Sequence, residues 1–178
     1  ERTITVHNFP ILDELVTPDP APNADRPPHF VYVGGLSVAR GVREMVSAMS
    51  RLSHPEARLE LGGRFIPPAF EQAIFGMDGA ERIRFHGWME RDEIAGLLSQ
   101  VRAGLVVLHP TRNYPDALPV KMFEYMAAGL PVIASDFPLW RQIVRSADCG
   151  LLVDPLDPDA IAEAMGWLLD NPEKAEAM

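Results

Sequence analysis

The sequence predicts a doubly wound, Rossmann-like α/β fold: a mostly parallel sheet of about six strands with helices on both faces. Six short apolar runs alternate with helical patterns, which is the order of a parallel sheet covered on both sides. Right-handed crossovers then give the doubly wound layout. Several apolar runs end in Gly, His or Ser-Asp. Because ligands bind outside the carboxyl ends of such strands, one crevice is expected to collect the functional residues.

The predicted strands are short and rich in β-branched and aromatic residues. They are HFVYVGG (29–35), ARLELGG (57–63), RIRFHG (82–87), AGLVVLH (103–109), LPVIAS (130–135) and GLLVD (150–154). The predicted helices lie near residues 40–52, 67–76, 91–100, 119–128, 137–146 and 157–170. In the last helix the apolar residues recur with helical spacing. Asp157 and Pro158 supply its N-cap and first position.

The beginning of the chain has a different composition. Residues 16–28, VTPDPAPNADRPP, contain five prolines, which indicates a linker or a loop strapped over the surface. The preceding segment, TITVHNF, alternates like a short strand. No internal repeat or low-complexity tract is evident.

Composition excludes several classes of protein. The chain has 178 residues, 47% hydrophobic and 23% charged, with a net charge of -9, which fits one globular domain and disfavours nucleic acid as a partner. No apolar run approaches the roughly 18 residues of a transmembrane helix, and the start lacks the pattern of a signal peptide. The single Cys149 excludes an internal disulfide and fits a reducing compartment. We expect it in the core rather than as a catalytic thiol, because no base is evident beside it.

Common catalytic motifs are absent from the sequence. There is no P-loop, no G-x-G-x-x-G after the first strand, no G-x-S-x-G and no H-E-x-x-H. The five histidines show no metal-ligand spacing. We expect His54 and His109 to be solvated or turn residues, and no metal site is predicted.

The segment GGLSVARG, residues 34–41, is the first candidate site. Gly34 and Gly35 end a predicted strand, and Arg40 falls in the expected first turn of the next helix. Glycines allow a ligand to approach the backbone, and helix N–H groups with a cation form an anion site. A tight turn with a surface arginine explains the segment equally well.

The second candidate site is the segment DALPVKMFEYMAAGLPVIASD, residues 116–136. A helix starting near Pro119 would place Lys121 at the positive end of the macrodipole, which is unfavourable for a cation. Lys121 and Glu124 are predicted to share one side, with Val120, Phe123, Ala127 and Met126 facing the core. A cation, a carboxylate and free N–H groups suit a phosphorylated ligand with hydroxyls. The alternative is a simple Lys121–Glu124 ion pair on the helix.

This segment resembles the signature of glycosyltransferase family 4, retaining enzymes of the two-domain GT-B fold that use nucleotide sugars. The signature contains two acidic residues separated by seven positions. The second acidic residue begins an E-[AY]-M-A-x-G-x-P-V-[IV]-A-[ST] run, which EYMAAGLPVIAS matches from Glu124 onward. The likeness extends over about residues 29–170. It identifies residues 29–178 as the C-terminal, nucleotide-sugar-binding domain, and residues 1–28 as an interdomain segment with a Pro-rich linker. The N-terminal acceptor domain would then be absent.

The resemblance also assigns roles. Glu124 would hold the ribose hydroxyls, Asp116 would contact the donor sugar, and Arg40 with Lys121 would bind the diphosphate. Here Asp116 replaces the usual Glu, Gly35 stands where a second basic residue is common, and Pro119 removes a backbone donor. The base would lie near Arg64, His86, Gly87 and Trp88. The predicted catalytic residues are therefore Asp116 and Glu124, and the predicted nucleotide-sugar site comprises Gly34, Gly35, Arg40, Arg64, Gly87, Trp88, Leu118, Val120, Lys121 and Glu124.

The resemblance thus implies a retaining, metal-independent glycosyltransferase without a cofactor. Its donor would be a nucleotide-diphosphate sugar, with UDP as the first choice. This chain alone would be inactive. Its partners would be the N-terminal domain of the same protein and a glycan, lipid or small-molecule acceptor. It would be cytoplasmic, with any peripheral contact to the inner membrane made by the missing half. Phe65, Trp88 and Tyr114 would be exposed on the crevice loops.

Three alternatives stay open at this point. The first is a nucleotide-sugar 2-epimerase on the same fold, which the E-[AY]-M-A run disfavours. The second is a non-catalytic nucleotide-sugar-binding module, which the departures at Gly35, Asp116 and Pro119 would allow. The third is a flavodoxin-like regulatory domain, which leaves Arg40, Lys121 and Glu124 unexplained.

Overall fold

The structure is a computed structural model that describes residues 9–15 and 21–178. Its six strands form one sheet in the order β3-β2-β1-β4-β5-β6, and every neighbouring pair is parallel. The strands are β1 (His29–Leu36), β2 (Arg58–Phe65), β3 (Ile83–Gly87), β4 (Ala103–Val106), β5 (Val132–Ser135) and β6 (Gly150–Val153). The predicted doubly wound α/β fold is confirmed.

Seven α-helices connect and follow the strands in the described part of the chain. They are α1 (Val42–Arg51), α2 (Phe70–Phe75), α3 (Arg91–Leu98), α4 (Val120–Ala127), α5 (Pro138–Ala147), α6 (Pro158–Asp170) and α7 (Pro172–Glu176). Short 3-10 turns cover Leu12–Glu14, Asn23–Asp25, Val38–Arg40 and Ala80–Arg82. Arg40 therefore lies in a 3-10 turn before α1, and not in the first turn of that helix as predicted. None of these helices is long and apolar enough to cross a bilayer.

The sheet separates two apolar clusters, one on each face. Phe30 and Tyr32 of β1 belong to the cluster that contains residues of α1 and α6. Val31, between them, belongs to the cluster that contains residues of α4 and α5. This alternation follows from the period of two in a strand. Cys149 is 5% exposed in the second cluster, so its predicted place in the core is confirmed.

Helix α6 begins as its sequence predicts. Asp157 is the N-cap, and its carboxylate accepts hydrogen bonds from the backbone N–H groups of Asp159 at 2.9 Å and Ala160 at 3.3 Å. Pro158 takes the first helical position, where a missing N–H is harmless. The apolar residues at helical spacing, Ile161, Ala164, Met165 and Leu168, are all buried.

The predicted core-facing stripe of α4 is only partly right, since Phe123, Met126 and Ala127 pack against the core cluster but are not its fully buried members. The helix buries Met122 and Tyr125 completely, whereas Val120 and Phe123 are only partly covered. The reason is the close approach of α4 to β4: a side chain added at Gly104 would meet the Tyr125 ring at 2.1 Å. The Tyr125 hydroxyl also accepts a hydrogen bond from the N–H of Val33 at 3.0 Å. Both apolar faces have helical spacing, so periodicity alone could not choose between them.

The described end of the Pro-rich stretch is fixed against the domain. The Asn23 side-chain amide donates to the carbonyl of Arg102 at 2.8 Å, and the Arg26 guanidinium donates to the carbonyl of Val101 at 3.3 Å. Both side chains are buried. This part of the stretch is a strap rather than a free linker. The short strand predicted over residues 3–9 lies almost wholly outside the described residues, as do residues 16–20.

Candidate functional site

A cleft of about 420 Å³ opens at the carboxyl ends of β1 and β4, beside the start of α4. The topology explains its position, because the strand order reverses between β1 and β4 and open α/β sheets bind ligands at that point. Its lining includes six of the predicted site residues: Gly34, Arg40, Leu118, Val120, Lys121 and Glu124. The structure therefore brings these six residues together in one cleft.

Lys121 is the cation nearest the start of α4, which begins one residue before it. Its Nζ lies 5.2 Å from the centre of the Tyr32 ring, a cation–π arrangement. Gly34 has a φ of +145°, and a Cβ added there would lie 3.3 Å from the Lys121 Cε. A glycine is thus needed both for its backbone angle and for the space that the lysine occupies.

The protein groups of the cleft are a poor environment for a charged amine. Burial, helped by the nearby Arg40 guanidinium and opposed by Glu124, lowers the pKa of Lys121 from 10.5 to about 8. No carboxylate lies within ion-pair distance of Lys121 in the part of the chain that the structure describes. A bound anion would supply the missing countercharge.

The N-terminus of α4 also lacks a partner for its donors. Pro119 is the N-cap residue and provides no side-chain cap, and its carbonyl accepts from the N–H of Met122 at 3.0 Å. Within residues 9–15 and 21–178, no group accepts from the N–H groups of Val120 and Lys121. Two free N–H groups beside a lysine and an arginine form an anion-binding arrangement.

Glu124 follows Lys121 by one turn and carries the acidic group of the cleft. Its carboxylate oxygen Oε1 lies 2.5 Å from a terminal guanidinium nitrogen of Arg91, which also lines the cleft. The Nε of Arg91 lies 3.0 Å from Glu14. The pKa of Arg91 is raised, first by its hydrogen bond to Glu124. Glu124 therefore pairs with Arg91, and the alternative of a simple Lys121–Glu124 ion pair is wrong.

Sequence reasoning missed Arg91. A signal was present, because Arg91 is the first residue of α3. A cation at that end of a helix is as unfavourable as Lys121 at the start of α4. The unfavourable placement of a cation at a helix start, which pointed to Lys121, therefore points to Arg91 as well.

The loop before α4 is held by the core. The indole N–H of the fully buried Trp140 donates to the carbonyl of Ala117 at 2.7 Å. Tyr114, Ala117 and Leu118 line the cleft, with Tyr114 partly covered rather than fully exposed. Asp116 lies between them, is exposed and does not line the cleft. The structure thus keeps Asp116 near the site but outside its wall.

A second depression, of about 320 Å³, contains the residues predicted to contact a base. Arg64, Gly87 and Trp88 line it, and the Arg64 guanidinium lies 4.8 Å from the Trp88 ring centre. Trp88 is 63% exposed, as expected, but Phe65 is only 6% exposed. The expectation that Phe65 is exposed is wrong because its ring packs against three other phenylalanines: Phe70, Phe75 and Phe85.

The two depressions lie at neighbouring strand ends. Gly34, in the wall of the cleft, pairs in register with Gly63, in the wall of the second depression. Gly35 pairs with Arg64, and a Cβ added at Gly35 would lie 3.7 Å from the Arg40 guanidinium carbon. Gly35 itself lines neither depression, so its position is next to Arg40 rather than in direct view of a ligand.

The four histidines in the described part of the chain make contacts within the protein. The Nε2 of His86 lies 2.6 Å from Glu60, a carboxylate that is 2% exposed, and the Nδ1 of His29 lies 2.8 Å from it. Burial lowers the pKa of His29, although Glu60 opposes the change. His86 does not line the second depression, where it was predicted.

His54 and His109 pair with Asp170 and Glu44, and no group of three His, Cys, Asp or Glu residues in the described ranges could hold a metal ion.

Comparison with known proteins gives one family. The family model described as "Glycosyl transferases group 1" matches residues 27–171. The alpha-D-kanosaminyltransferase of Streptomyces kanamyceticus is 26% identical over 157 residues, which are 86% of this chain and 39% of that protein. The chain therefore spans less than half the length of this relative.

Solved structures agree with the fold. HepE from Anabaena, in complex with UDP and glucose, superposes with a TM-score of 0.79 at 16% identity, covering 96% of this chain and 48% of HepE. The C-terminal domain of a glycosyl transferase group 1 family protein, LpcC from Francisella tularensis, gives a TM-score of 0.76 at 17% identity. That match covers 93% of this chain and 90% of the LpcC domain.

Proposed function

Because the chain belongs to the group 1 glycosyltransferases, we propose that it is the donor-binding half of a retaining, metal-independent enzyme. This enzyme would transfer a sugar from a nucleoside-diphosphate sugar, with UDP as the expected carrier. The observation that carries the proposal is the meeting of Arg40, Lys121 and Glu124 with two free helix N–H groups in one cleft. HepE, which shares the fold, was solved with UDP and glucose.

In this proposal the diphosphate binds at the start of α4. Arg40, Lys121 and the N–H groups of Val120 and Lys121 would hold its oxygens. As the bond from the sugar to the diphosphate breaks, negative charge grows on the leaving group, and fixed cations and dipoles stabilise it without reorganising. A diphosphate also relieves the unfavourable placement of Lys121 at a helix start.

Glu124 would accept hydrogen bonds from the ribose hydroxyls, since one of its oxygens already pairs with Arg91 and the other does not. The base would lie over Trp88, where an exposed indole next to Arg64 offers a stacking surface. Asp116 would contact the donor sugar. Its carboxylate would have to enter the cleft on binding, because it is exposed outside the wall in the empty structure.

The remaining parts of the enzyme would lie outside this chain. A chain that spans 39% of its relative leaves room for another domain, which we propose carries the acceptor site and completes the donor site. The acceptor would be a glycan, a lipid or a small molecule. The chain alone would then bind the donor without transferring its sugar.

A second candidate function is a nucleotide-sugar-binding module without catalysis. The exposed position of Asp116 favours it, because among the described residues no acidic residue other than Glu124 lines the cleft. This candidate predicts the same binding but no transfer when the complete protein is assayed with donor and acceptor mixtures. Sugar release or transfer that is lost in Asp116→Asn would exclude it.

The test of the proposed function is a calorimetric titration of the chain with UDP, GDP, ADP and their glucose or mannose conjugates. We expect one base to bind at micromolar to millimolar affinity. Glu124→Ala should weaken that binding at least about tenfold, because hydrogen bonds to a charged group contribute about 1.5–3 kcal/mol. Glu163→Ala, an exposed glutamate on α6, should have no effect.

Each result has a definite meaning. If Glu124→Ala and Glu163→Ala bind the nucleotide with equal affinity, the proposed placement of the ribose is wrong. A chain that unfolds cooperatively in urea, and is therefore folded, yet binds no nucleotide would contradict a self-sufficient donor site. Addition of EDTA checks the expected independence from metal, since the affinity should not change.

A further inference from the structure

Arg91 connects three separate parts of the protein. It is the first residue of α3, it pairs with Glu124 of α4 at 2.5 Å, and it pairs with Glu14 of the 3-10 turn Leu12–Glu14 at 3.0 Å. The side chains of Arg91 and Glu14 are 37% and 43% exposed, and that of Glu124 is 19% exposed. Glu124 is thus the most enclosed member of the three.

Stability does not explain this arrangement. Ion pairs as exposed as Arg91–Glu14 contribute about 0–1 kcal/mol. Arg91 is also unfavourably placed at the positive end of α3, where the acidic Asp92 and Glu93 are the suitable residues. The position of Arg91 in the wall of the cleft is therefore better explained by what its guanidinium does to Glu124.

The contact with Arg91 uses only one of the two carboxylate oxygens of Glu124. Arg91 bonds to Oε1, and no group in the described part of the chain hydrogen-bonds to Oε2. A planar guanidinium held at a second point by Glu14 fixes the direction from which Oε1 is approached. The carboxylate plane is then restricted, while Oε2 remains available to a ligand.

We propose that Arg91 is a positioning residue, which holds the Glu124 carboxylate in the orientation that receives the ribose hydroxyls and is itself held by Glu14. This role rests on the proposed function, since it presupposes a ribonucleotide in the cleft. Arg91 acts through Glu124 and touches no reacting atom.

The expected loss of affinity in Arg91→Ala follows from the conformational freedom that the Glu124 side chain would regain. A glutamate side chain that must be immobilised when the ligand binds loses conformational entropy, which weakens the binding. A glutamate already held by Arg91 avoids that loss, so removing Arg91 should weaken ribose recognition by about three- to tenfold. The effect should be confined to ligands that carry the hydroxyl which Glu124 accepts.

The experiment compares UDP with 2′-deoxy-UDP, or GDP with 2′-deoxy-GDP if guanine is preferred. The ratio of the two dissociation constants measures ribose recognition and cancels any general effect on the diphosphate. The variants are Arg91→Ala, Arg91→Lys, Glu14→Gln and Glu124→Ala. The matched control is Arg51→Ala, which removes an arginine of nearly equal exposure, 39%, paired with Asp159 at 2.8 Å away from the cleft.

We expect a wild-type ratio of about tenfold or more, because the lost hydrogen bond is to a charged group. Glu124→Ala should abolish the preference, Arg91→Ala should lower it three- to tenfold, and Arg51→Ala should leave it unchanged. Arg91→Lys should recover part of the preference, since a lysine restores the charge but not the planar fork. Glu14→Gln should lower it less than Arg91→Ala.

Other outcomes separate the two proposals. If Glu124→Ala abolishes the preference and Arg91→Ala does not change it, the positioning role is wrong and the proposed function stands. If Arg91→Ala weakens both ligands equally, Arg91 acts on the diphosphate and the positioning role is again wrong. If the folded wild type binds neither ligand, or shows no preference, the proposed function and the positioning role both fail.

Discussion

Replacing Lys121 by methionine should have two opposite effects, a gain in stability and a loss of ligand affinity. The substitution keeps the apolar stem and removes the charge. In the empty cleft the charge is unfavourable, since burial and Arg40 lower the pKa of Lys121 to about 8. With a diphosphate bound the same charge becomes favourable. The empty protein should therefore gain stability while the complex loses affinity.

The gain in stability can be estimated from the pKa. A lowering from 10.5 to about 8, at 1.36 kcal/mol per unit, sets an upper limit of roughly 3 kcal/mol. Between pH 8 and 10.5 the unfolded chain binds this proton more tightly than the folded chain. The free energy of unfolding of the wild type should thus rise with pH in this window. The Lys121→Met variant should lack the rise and be more stable below pH 8.

The loss of affinity has its own magnitude and pH profile. A charge-assisted contact to a phosphate contributes about 1.5–3 kcal/mol, so Lys121→Met should weaken nucleoside diphosphate binding by about 10- to 150-fold. The phosphate groups are fully ionised above pH 7.5. Wild-type affinity should therefore fall as pH rises through about 8, the pKa of Lys121 in the empty cleft, by up to about tenfold per unit. The variant should bind weakly at every pH.

The chain offers an unusually clear assay because it contains two lysines, Lys121 and Lys174. After reductive methylation with a ¹³C label, each lysine gives a signal whose shift reports its own pKa. Urea unfolding at pH 7 and 9.5 gives the stabilities. Lys174→Met is the matched control, since the Lys174 amine also lies over an indole ring, that of Trp167, at 5.4 Å from its centre, but lines no part of the cleft.

One result would refute the reasoning. If the Lys121 signal titrates near 10.5 and Lys121→Met changes neither stability nor affinity more than Lys174→Met does, the lysine is an ordinary solvated cation. The cleft would then lack the unbalanced charge on which the diphosphate proposal depends.

Two further predictions test the second depression and the buried carboxylate. Trp88→Ala should weaken the binding of nucleoside diphosphates by about 5- to 150-fold, because stacking of a base on an aromatic ring contributes about 1–3 kcal/mol, while calorimetry with pyrophosphate should show no change. Glu60→Ala should lower the free energy of unfolding in urea by about 1–3 kcal/mol, because it leaves the partly buried rings of His29 and His86 without the carboxylate that they contact. Equal stability of Glu60→Ala and Glu163→Ala would contradict this reading of the cluster.

The fold could be predicted from the sequence because its signals are local and repeated. Each strand is a short apolar run bounded by Gly, Pro or a charged residue, and α6 carries both an N-cap and a regular apolar spacing. The buried face of α4 could not be predicted in the same way. Two overlapping apolar sets have helical spacing there, and the choice between them depends on Gly104 of β4, which is close only in the folded chain.

Some residues of the candidate site could likewise be predicted from the sequence, and others could not. Gly34, Arg40, Lys121 and Glu124 were predictable because each lies near the carboxyl end of a strand or in the first two turns of a helix, positions that the topology gathers at one edge. The partners of those residues were not predictable. Arg91 reaches Glu124 from another helix, and His86 turns to Glu60 rather than to the second depression. Such pairings depend on side-chain direction across elements, which carries no signature in sequence spacing.

Several independent features of the cleft favour an anionic ligand, because its charges and hydrogen-bond donors lack partners within the protein. The chain carries a net charge of -9, yet Lys121 and Arg40 face one cleft and repel each other there. Helix α4, whose second residue is Lys121, has neither a side-chain cap nor partners for its first N–H groups in the described residues. A cap such as Asp or Ser at position 119 would correct the helix at little expense elsewhere. A diphosphate would correct the lysine, the arginine and the helix end together, so the three defects have one common explanation.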